Sequence, residues 1–247
     1  MKLLARRRLR EIPIRSNIPN MITSGNLLCG MLAMVLTLRG HYVTAAWMIP
    51  MAVAFDFCDG MVARAMGLSS DFGVEFDSLG DVVSFGVAPA LLIYTVYLKN
   101  LPDVVGTIVV LYFTLCGALR LARFNVVHCP GPFQGLPIPA AGIFMVSWVM
   151  AGLHVPPALI AGLSVLSGTL MISSVPYGNL KSLKRNSIHF QKIASLLVFV
   201  LVTVALLKSV TFLILSGIYL ASGLLSFNWS DWLSTDRAQQ KDRDEKS

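Results

Sequence analysis

Long apolar runs, separated by short polar stretches, occupy most of this 247-residue chain and limit the folds that are open to it. Each run holds roughly 17 to 25 residues, which as an α-helix would cross about 30 Å of hydrocarbon. In lipid the backbone polar groups must be satisfied within the segment, so helices are the expected form. The ten-residue segments of alternating polarity that are typical of a membrane barrel are missing from the sequence. The pattern therefore predicts an all-α, polytopic membrane helix bundle.

About eight of these runs are predicted to be transmembrane helices. Their ranges are 20–38, 43–65, 71–98, 104–121, 139–153, 157–173, 190–207 and 210–227. A basic segment, 1–15, precedes the first span, and a charged tail, 234–247, follows the last. Because the tail has almost no apolar residues, we expect it to be disordered. No short-period repeat divides the chain, which indicates one membrane domain.

Charged residues are scarce and unevenly placed. They make up 13% of the chain, where a soluble domain usually has about 25%, and the mean hydropathy is +0.69. With a cytoplasmic N-terminus, the eight spans place every Lys and Arg on or near the cytoplasmic side except Arg39, Lys99 and Lys208. The formal net charge of +7 thus indicates topology and attraction to anionic membrane lipids, with no nucleic-acid partner. We expect a multi-pass protein of the cell (inner) membrane with both termini in the cytoplasm.

Two segments interrupt the apolar pattern with carboxylates. Asp56 and Asp59 are three residues apart in the second span, and Asp77 and Asp81 are four residues apart in the third. Each pair shares a helix face, with about 5 Å between its members. A carboxylate in a membrane helix is costly unless it faces a polar cavity or a partner. The turn between the two spans is short, so we predict antiparallel neighbours whose acidic faces converge near the cytoplasmic end.

Converging carboxylates repel one another, and bound cations are what can hold them ionised together. Hard oxygen ligands favour Mg²⁺, Mn²⁺ or Ca²⁺. Gly60 and Gly73 permit the close approach of a ligand, and the guanidinium of Arg64 suits a phosphate. The constellation predicts a divalent-metal site for phosphoryl chemistry on an anionic substrate. An ion-transport path lined by the acids is the alternative interpretation.

Together the two acidic segments read D-x-x-D-G-x-x-A-R, then eight residues, then G-x-x-x-D-x-x-x-D. This pattern resembles the signature of the CDP-alcohol phosphatidyltransferase family, and the chain matches every position of it. The resemblance implies a catalytic core of six helices, residues 16–176, to which residues 177–233 add two further transmembrane helices. It also implies a homodimer and a cytoplasmic active site.

The resemblance implies a role for each matching residue. Asp56, Asp59 and Asp77 would hold two Mg²⁺ or Mn²⁺ ions. Asp81 would ligate the second ion and act as general base on the acceptor hydroxyl. The CDP-lipid site would be lined by Asn20, Thr23, Gly60, Ala63, Arg64, Ser70 and Gly73. A second interpretation of Ser70 is the N-cap of the third span.

Within the family, three stretches resemble the membrane-embedded phosphatidylserine synthases: residues 19–23, 120–125 and 133–141. The implied reaction transfers a phosphatidyl group from CDP-diacylglycerol to the hydroxyl of L-serine and releases CMP. Serine must be held by its carboxylate and ammonium groups. We predict Arg123 and Asn125 for this pocket, with Arg120 as the next choice. Both arginines can also be interpreted as interface anchors.

The acidic signature does not distinguish one acceptor from another. Glycerol 3-phosphate or inositol phosphate as acceptor, or an archaeal ether lipid as donor, would use the same chemistry. A phosphorylated acceptor would need basic residues near the cavity, which Arg120 and Arg123 could supply. Outside the enzyme class, the alternative is a cation transporter, which predicts metal flux and no release of CMP.

Overall fold

The computed structural model describes residues 17–66, 71–126, 135–175, 177 and 210–225, and these residues form helices with no strand among them. A π-helical segment, Val82–Val87, joins the third helix to the fourth, and a 3₁₀ turn, Leu98–Asn100, precedes the fifth. The predicted all-α class is confirmed for this part of the chain. We number the α-helices in chain order as α1 (Asn17–Leu38), α2 (Tyr42–Met66), α3 (Asp71–Asp81), α4 (Ala88–Val96), α5 (Asp103–Val126), α6 (Ile138–Met150), α7 (Pro157–Ile172) and α8 (Thr211–Leu224).

Four helical segments are long and apolar enough to cross a membrane, and they coincide with the first four predicted spans. Three shorter apolar helices, α6, α7 and α8, fall within the fifth, sixth and eighth predicted spans. The seventh predicted span, the basic segment and the charged tail lie outside the described residues. The chain is therefore a helical membrane protein, while the count of eight spans stays a prediction. The four long segments are Asn20–Leu38, Tyr42–Ala63, Phe72–Val96 and Val104–Val126.

Large apolar side chains point outward from the long helices. Leu28 on α1, Phe57 on α2 and Leu111 on α5 are each 63% exposed. Water-soluble proteins seldom expose apolar surface on this scale, whereas lipid tails are as apolar as leucine itself. The outer surface of the bundle therefore matches a lipid environment.

Helix α1 packs against α2, α3, the π-helical segment and α4. Glycines allow these close approaches. A Cβ atom at Gly25 would lie 2.7 Å from the ring of Phe55 on α2, and one at Gly30 would overlap Ser84 of the π-helical segment. Gly40 then closes the helix with a φ of +81°, which suits a residue without a side chain. The glycines of α1 are thus used for packing within the chain.

The π-helical segment begins directly after Asp81. The backbone N–H of Ala88 bonds to the carbonyl of Val83, five residues earlier. Pro89 follows, and a proline lacks an N–H and crowds the carbonyl four residues before it, so the wider turn relieves that crowding. Gly142 of α6 lies against the segment, since a Cβ there would be 3.0 Å from the carbonyl oxygen of Phe85. Such insertions are frequent next to functional sites.

The later helices close the bundle around this segment. Helix α6 touches α2, α4 and α8, and α7 packs against α5. The Tyr97 hydroxyl lies 3.1 Å from the carbonyl of Trp148 and 3.0 Å from that of Leu153, which ties the end of α4 to the end of α6. Leu136, just before α6, donates its N–H to the carbonyl of Leu170 at 3.0 Å. These contacts fix α6 and α7 relative to α4.

Candidate active site

Three of the four carboxylates singled out in the sequence meet at one point. Asp56 and Asp59 lie one turn apart on α2, and Asp77 approaches them from α3. One carboxylate oxygen from each residue lies within 4.8 Å of the other two. Asp59 is buried, whereas Asp56 and Asp77 are half-buried. We refer to these three residues as the acidic triad.

The acidic triad fits a divalent cation. Asp77 Oδ1 is buried and has no hydrogen-bond partner among the described residues. A buried acceptor without a donor is costly, and carboxylates this close repel one another where water is scarce. A cation bound to the three side chains would remove both penalties. The all-oxygen ligand set suits Mg²⁺ or Mn²⁺.

The fourth carboxylate, Asp81, has a different partner. It lies one turn beyond Asp77 and is 8% exposed. Asn26 on α1 donates a hydrogen bond from Nδ2 to Asp81 Oδ1 at 3.0 Å, and Asn26 is fully buried. The structure therefore divides the four acids into the triad and a separately held Asp81.

Helix α1 also reaches the triad. Thr23 donates its hydroxyl to Asp59 Oδ2 at 2.7 Å in a buried contact. The resemblance implied that Thr23 lines the CDP-lipid site, and the structure places its hydroxyl on an acid of the triad. Hydrogen bonds of this kind orient a carboxylate ligand and tune its affinity for metal.

Asn26 was not singled out from the sequence. A signal for it was present, because Asn20, Thr23 and Asn26 follow one another at intervals of three and so share one face of α1. Polar residues that recur on one face of an otherwise apolar membrane helix face the protein interior or a cavity. That face is the one that meets the carboxylates of α2 and α3.

Most of the other residues assigned to the CDP-lipid site lie on the same three helices: Asn20, Gly60, Ala63, Arg64 and Gly73. Four of these residues have a described burial, and each is half-buried: Asn20, Gly60, Ala63 and Gly73. Gly60 and Ala63 follow Asp59 on α2, and Gly73 lies one turn before Asp77 on α3. Helix α2 runs through Arg64, but its side chain and the whole of Ser70 lie outside the described parts of the structure.

Asn125, predicted for the acceptor pocket, joins α5 to α3. Its Nδ2 lies 3.0 Å from Ser78 Oγ and 3.4 Å from Glu75 Oε2. Ser78 and Glu75 flank Asp77, and they too were not singled out from the sequence. Their signal was position alone, because polar residues next to a predicted metal ligand have few other uses in a membrane helix.

The two arginines of α5 differ in their surroundings. Arg120 is half-buried, its Nε is buried without a hydrogen-bond partner among the described residues, and it interacts electrostatically with Asp81 and with Tyr219 on α8. Arg123 is exposed. Arg120 is therefore close enough to Asp81 for their charges to interact.

A comparison with protein families decides the class of this site. The CDP-alcohol phosphatidyltransferase family model matches residues 16–178. The chain belongs to that family. Its members are generally metal-dependent, in agreement with the acidic triad. The match contains α1 to α7 and ends before α8.

Three curated relatives indicate which kind of family member the chain resembles. The chain is 37% identical to the CDP-diacylglycerol–serine O-phosphatidyltransferase of Helicobacter pylori strain J99 over 216 residues, which cover 84% of this chain and 89% of the relative. It is 41% identical to the Bacillus subtilis protein of the same name over 165 residues, 66% of this chain and 91% of the relative. It is 39% identical to the archaetidylserine synthase of Methanothermobacter thermautotrophicus over 165 residues, 65% of this chain and 69% of the relative.

Proposed function

We propose that this protein transfers a phosphatidyl group from CDP-diacylglycerol to the hydroxyl of L-serine, giving phosphatidylserine and CMP. The observation that carries the proposal is the arrangement of the four acids, with three grouped within 4.8 Å and Asp81, one turn further along α3, hydrogen-bonded to Asn26. This arrangement supports a cation site with a further carboxylate beside it that is oriented for proton transfer. The names of the relatives from Helicobacter pylori and Bacillus subtilis support serine as the acceptor.

In the proposed mechanism, Asp56, Asp59 and Asp77 would hold two Mg²⁺ or Mn²⁺ ions, and Asp81 would be a further ligand of the second. When bound, these ions offset the negative charge of the diphosphate and of the departing CMP. The other work is done by side chains. Asp81 takes the proton from the serine hydroxyl. The oxygen of that hydroxyl then bonds to the lipid-side phosphorus, while the bond from this phosphorus to CMP breaks.

The substrates are proposed to bind against the faces of α1, α2 and α3 that carry the acids and their hydrogen-bond donors. Helix α2 would hold the CDP group through the backbone at Gly60 and Ala63 and through the Arg64 guanidinium. Asn20, Thr23, Ser70 and Gly73 would complete the nucleotide site, with Thr23 acting through Asp59, to which it donates its hydroxyl. The acyl chains of the donor would lie in the surrounding membrane lipid.

For the acceptor pocket we propose Arg120, Arg123 and Asn125, all on α5. Arg120 is best placed to meet the serine carboxylate, because its buried Nε needs a hydrogen-bond acceptor and it lies near Asp81. Asn125 is already joined to Ser78 and Glu75 beside Asp77. An Arg120→Lys variant should therefore raise the KM for serine more than an Arg123→Lys variant.

We further propose eight transmembrane helices in the cell (inner) membrane, with both termini and the active site cytoplasmic. Six helices, within residues 16–176, would form the catalytic core, followed by two more in 177–233 and by the tail 234–247. A homodimer completes the proposal. Labelling of single introduced cysteines from each side of the membrane tests the orientation, and cross-linking in native membranes tests the dimer.

The test of the reaction is CMP release by the purified protein from CDP-diacylglycerol with Mn²⁺ or Mg²⁺. Serine should stimulate release, and glycerol 3-phosphate and inositol phosphate should not. The relative named archaetidylserine synthase keeps an ether-linked donor open, so a CDP-activated ether lipid belongs in the same panel. Release with glycerol 3-phosphate alone would overturn serine as the acceptor and leave the reaction class intact. Metal flux into liposomes without CMP release would overturn the class.

A further inference from the structure

Helix α1 donates a hydrogen bond to each of two carboxylates from residues three positions apart. Thr23 bonds to Asp59 of the acidic triad at 2.7 Å, and Asn26 bonds to Asp81 at 3.0 Å. Both contacts are buried, and both join residues that are far apart in the chain. One face of one helix therefore reaches two acids to which the proposed function gives different tasks.

Asn26 is held firmly in place. Its side chain is fully buried, and its backbone carbonyl accepts a hydrogen bond from Ser84 Oγ at 2.9 Å. Gly80, next to Asp81, lies against the amide, since a Cβ atom there would be in van der Waals contact with Asn26 Nδ2 at 3.7 Å. The backbone of α1 is therefore tied to the π-helical segment at Asn26, and the side-chain amide meets Asp81 from that position.

The side-chain amide of Asn26 has one described protein partner. Its Nδ2 bonds to Asp81, while its Oδ1 is buried without a hydrogen-bond partner among the described residues. An amide that served only to satisfy the interior would be expected to use both ends. A neutral donor also orients a carboxylate without cancelling its charge. A lysine or arginine at this position would cancel that charge.

We propose that Asn26 is a positioning residue that fixes the orientation of the Asp81 carboxylate beside the acidic triad and aims it for proton transfer. The proposal rests on the proposed function, in which Asp81 is the base. Without the amide, the Asp81 carboxylate would be free to rotate and to lose its alignment with the acceptor hydroxyl. A misplacement of about 1 Å in a reacting group can lower turnover by about 100-fold.

The test compares three single variants of α1. Asn26→Leu removes the donor with a side chain of similar size. Thr23→Val removes the donor to Asp59. Thr37→Val is the matched control, because Thr37 is equally buried on α1 but donates its hydroxyl to the carbonyl of Ala33 in the same helix. For each variant we would measure kcat, the KM for CDP-diacylglycerol and the Mn²⁺ concentration for half-maximal activity.

We expect Asn26→Leu to lower kcat by about 100-fold, while the KM for CDP-diacylglycerol stays as in the wild type and the Mn²⁺ requirement changes less than in Thr23→Val. Thr23→Val should show the opposite pattern, with the Mn²⁺ requirement raised by about tenfold and kcat largely restored at saturating Mn²⁺. Thr37→Val should match the wild type. Stabilisation of each variant against heating by CDP with Mn²⁺ gives a readout that does not depend on turnover, and Asn26→Leu should retain it.

Two results would overturn the positioning role: an unchanged kcat in Asn26→Leu, or a raised Mn²⁺ requirement like that of Thr23→Val. If Asn26→Leu does not fold, Asn26→Ser serves instead, because its hydroxyl is too short to reach Asp81 and the same outcomes apply. The proposed function fails separately, when the wild-type protein releases no CMP with any acceptor. If the wild type prefers an acceptor other than serine, the series is run with that acceptor.

Discussion

At the residue scale, Asp77 is the acid whose surroundings most clearly call for a cation. One of its oxygens is buried without a hydrogen-bond partner among the described residues, and two other carboxylates lie close by. Asp59, in contrast, already receives a hydrogen bond from Thr23. We therefore expect bound metal to stabilise this site mainly through Asp77.

Replacing Asp77 with Asn should weaken metal binding by at least about tenfold, since even outer-shell changes at metal sites have effects of that size. The variant keeps the shape of the side chain and removes its charge. The measurement is the rise in melting temperature on titration with Mn²⁺ in detergent. Glu75→Gln is the control, because Glu75 is an exposed acid on the same helix that lies outside the triad. Equal Mn²⁺ affinity in Asp77→Asn and wild type would contradict the assignment of Asp77 as a ligand.

Asp81→Asn should separate proton transfer from substrate binding. Removing a general base typically lowers turnover by about 10²- to 10⁴-fold. The uncharged side chain leaves the triad intact, so binding of the CDP lipid should remain measurable. Turnover and CDP-lipid binding would be measured on the same preparation. Wild-type turnover in this variant would remove Asp81 from the role of base.

At the element scale, the sequence predicted which helices carry the acids but not how α1 contacts them. Carboxylate spacing placed Asp56, Asp59 and Asp77 on two helix faces, because periodicity is local information. The hydrogen bond from Asn26 to Asp81 joins residues 55 positions apart, and it depends on how closely α1 approaches α3. The π-helical turn after Asp81 could not be predicted from the sequence either. Its only sequence signal is a proline, which ordinary helices also tolerate near their starts.

The close approach of α1 to the π-helical segment can be tested at Gly30. A Cβ atom there would lie 2.7 Å from the Cα of Ser84, so Gly30→Ala should destabilise the fold by about 1 to 3 kcal/mol. Gly162→Ala is the matched control, because nothing lies within 4 Å of a Cβ at that position on α7. The control should be neutral or slightly stabilising, as alanine favours helix. Thermal unfolding in detergent measures both, and equal melting temperatures would contradict the predicted packing.

At the scale of the whole molecule, apolar side chains lie both inside the bundle and on its outer surface. Composition predicted a membrane protein, but it could not say which face of each helix meets lipid, because helices that are apolar all round carry little directional signal. The structure makes the distinction on α5, where Phe113 is 2% exposed and Leu111 is 63% exposed.

Truncating these two side chains should therefore have unequal effects. Phe113→Ala leaves a cavity in the packed interior and should cost about 3 to 5 kcal/mol. Leu111→Ala exchanges one apolar surface for a smaller one against lipid and should cost much less. Both would be measured by unfolding in the same detergent micelles. A larger loss for Leu111→Ala would mean that this face of α5 is buried in the membrane, as it would be at a subunit interface.

For the whole molecule, we propose that a cation site and a carboxylate base, built by α1, α2 and α3, act on a CDP-activated lipid and serine. The most direct measurement is serine-dependent CMP release by the purified protein, with and without Mn²⁺ or Mg²⁺, alongside Asp81→Asn. We predict CMP release that requires both serine and metal and that is lost in Asp81→Asn. Serine-dependent release that persists after complete removal of divalent metal, or that is undiminished in Asp81→Asn, would contradict it.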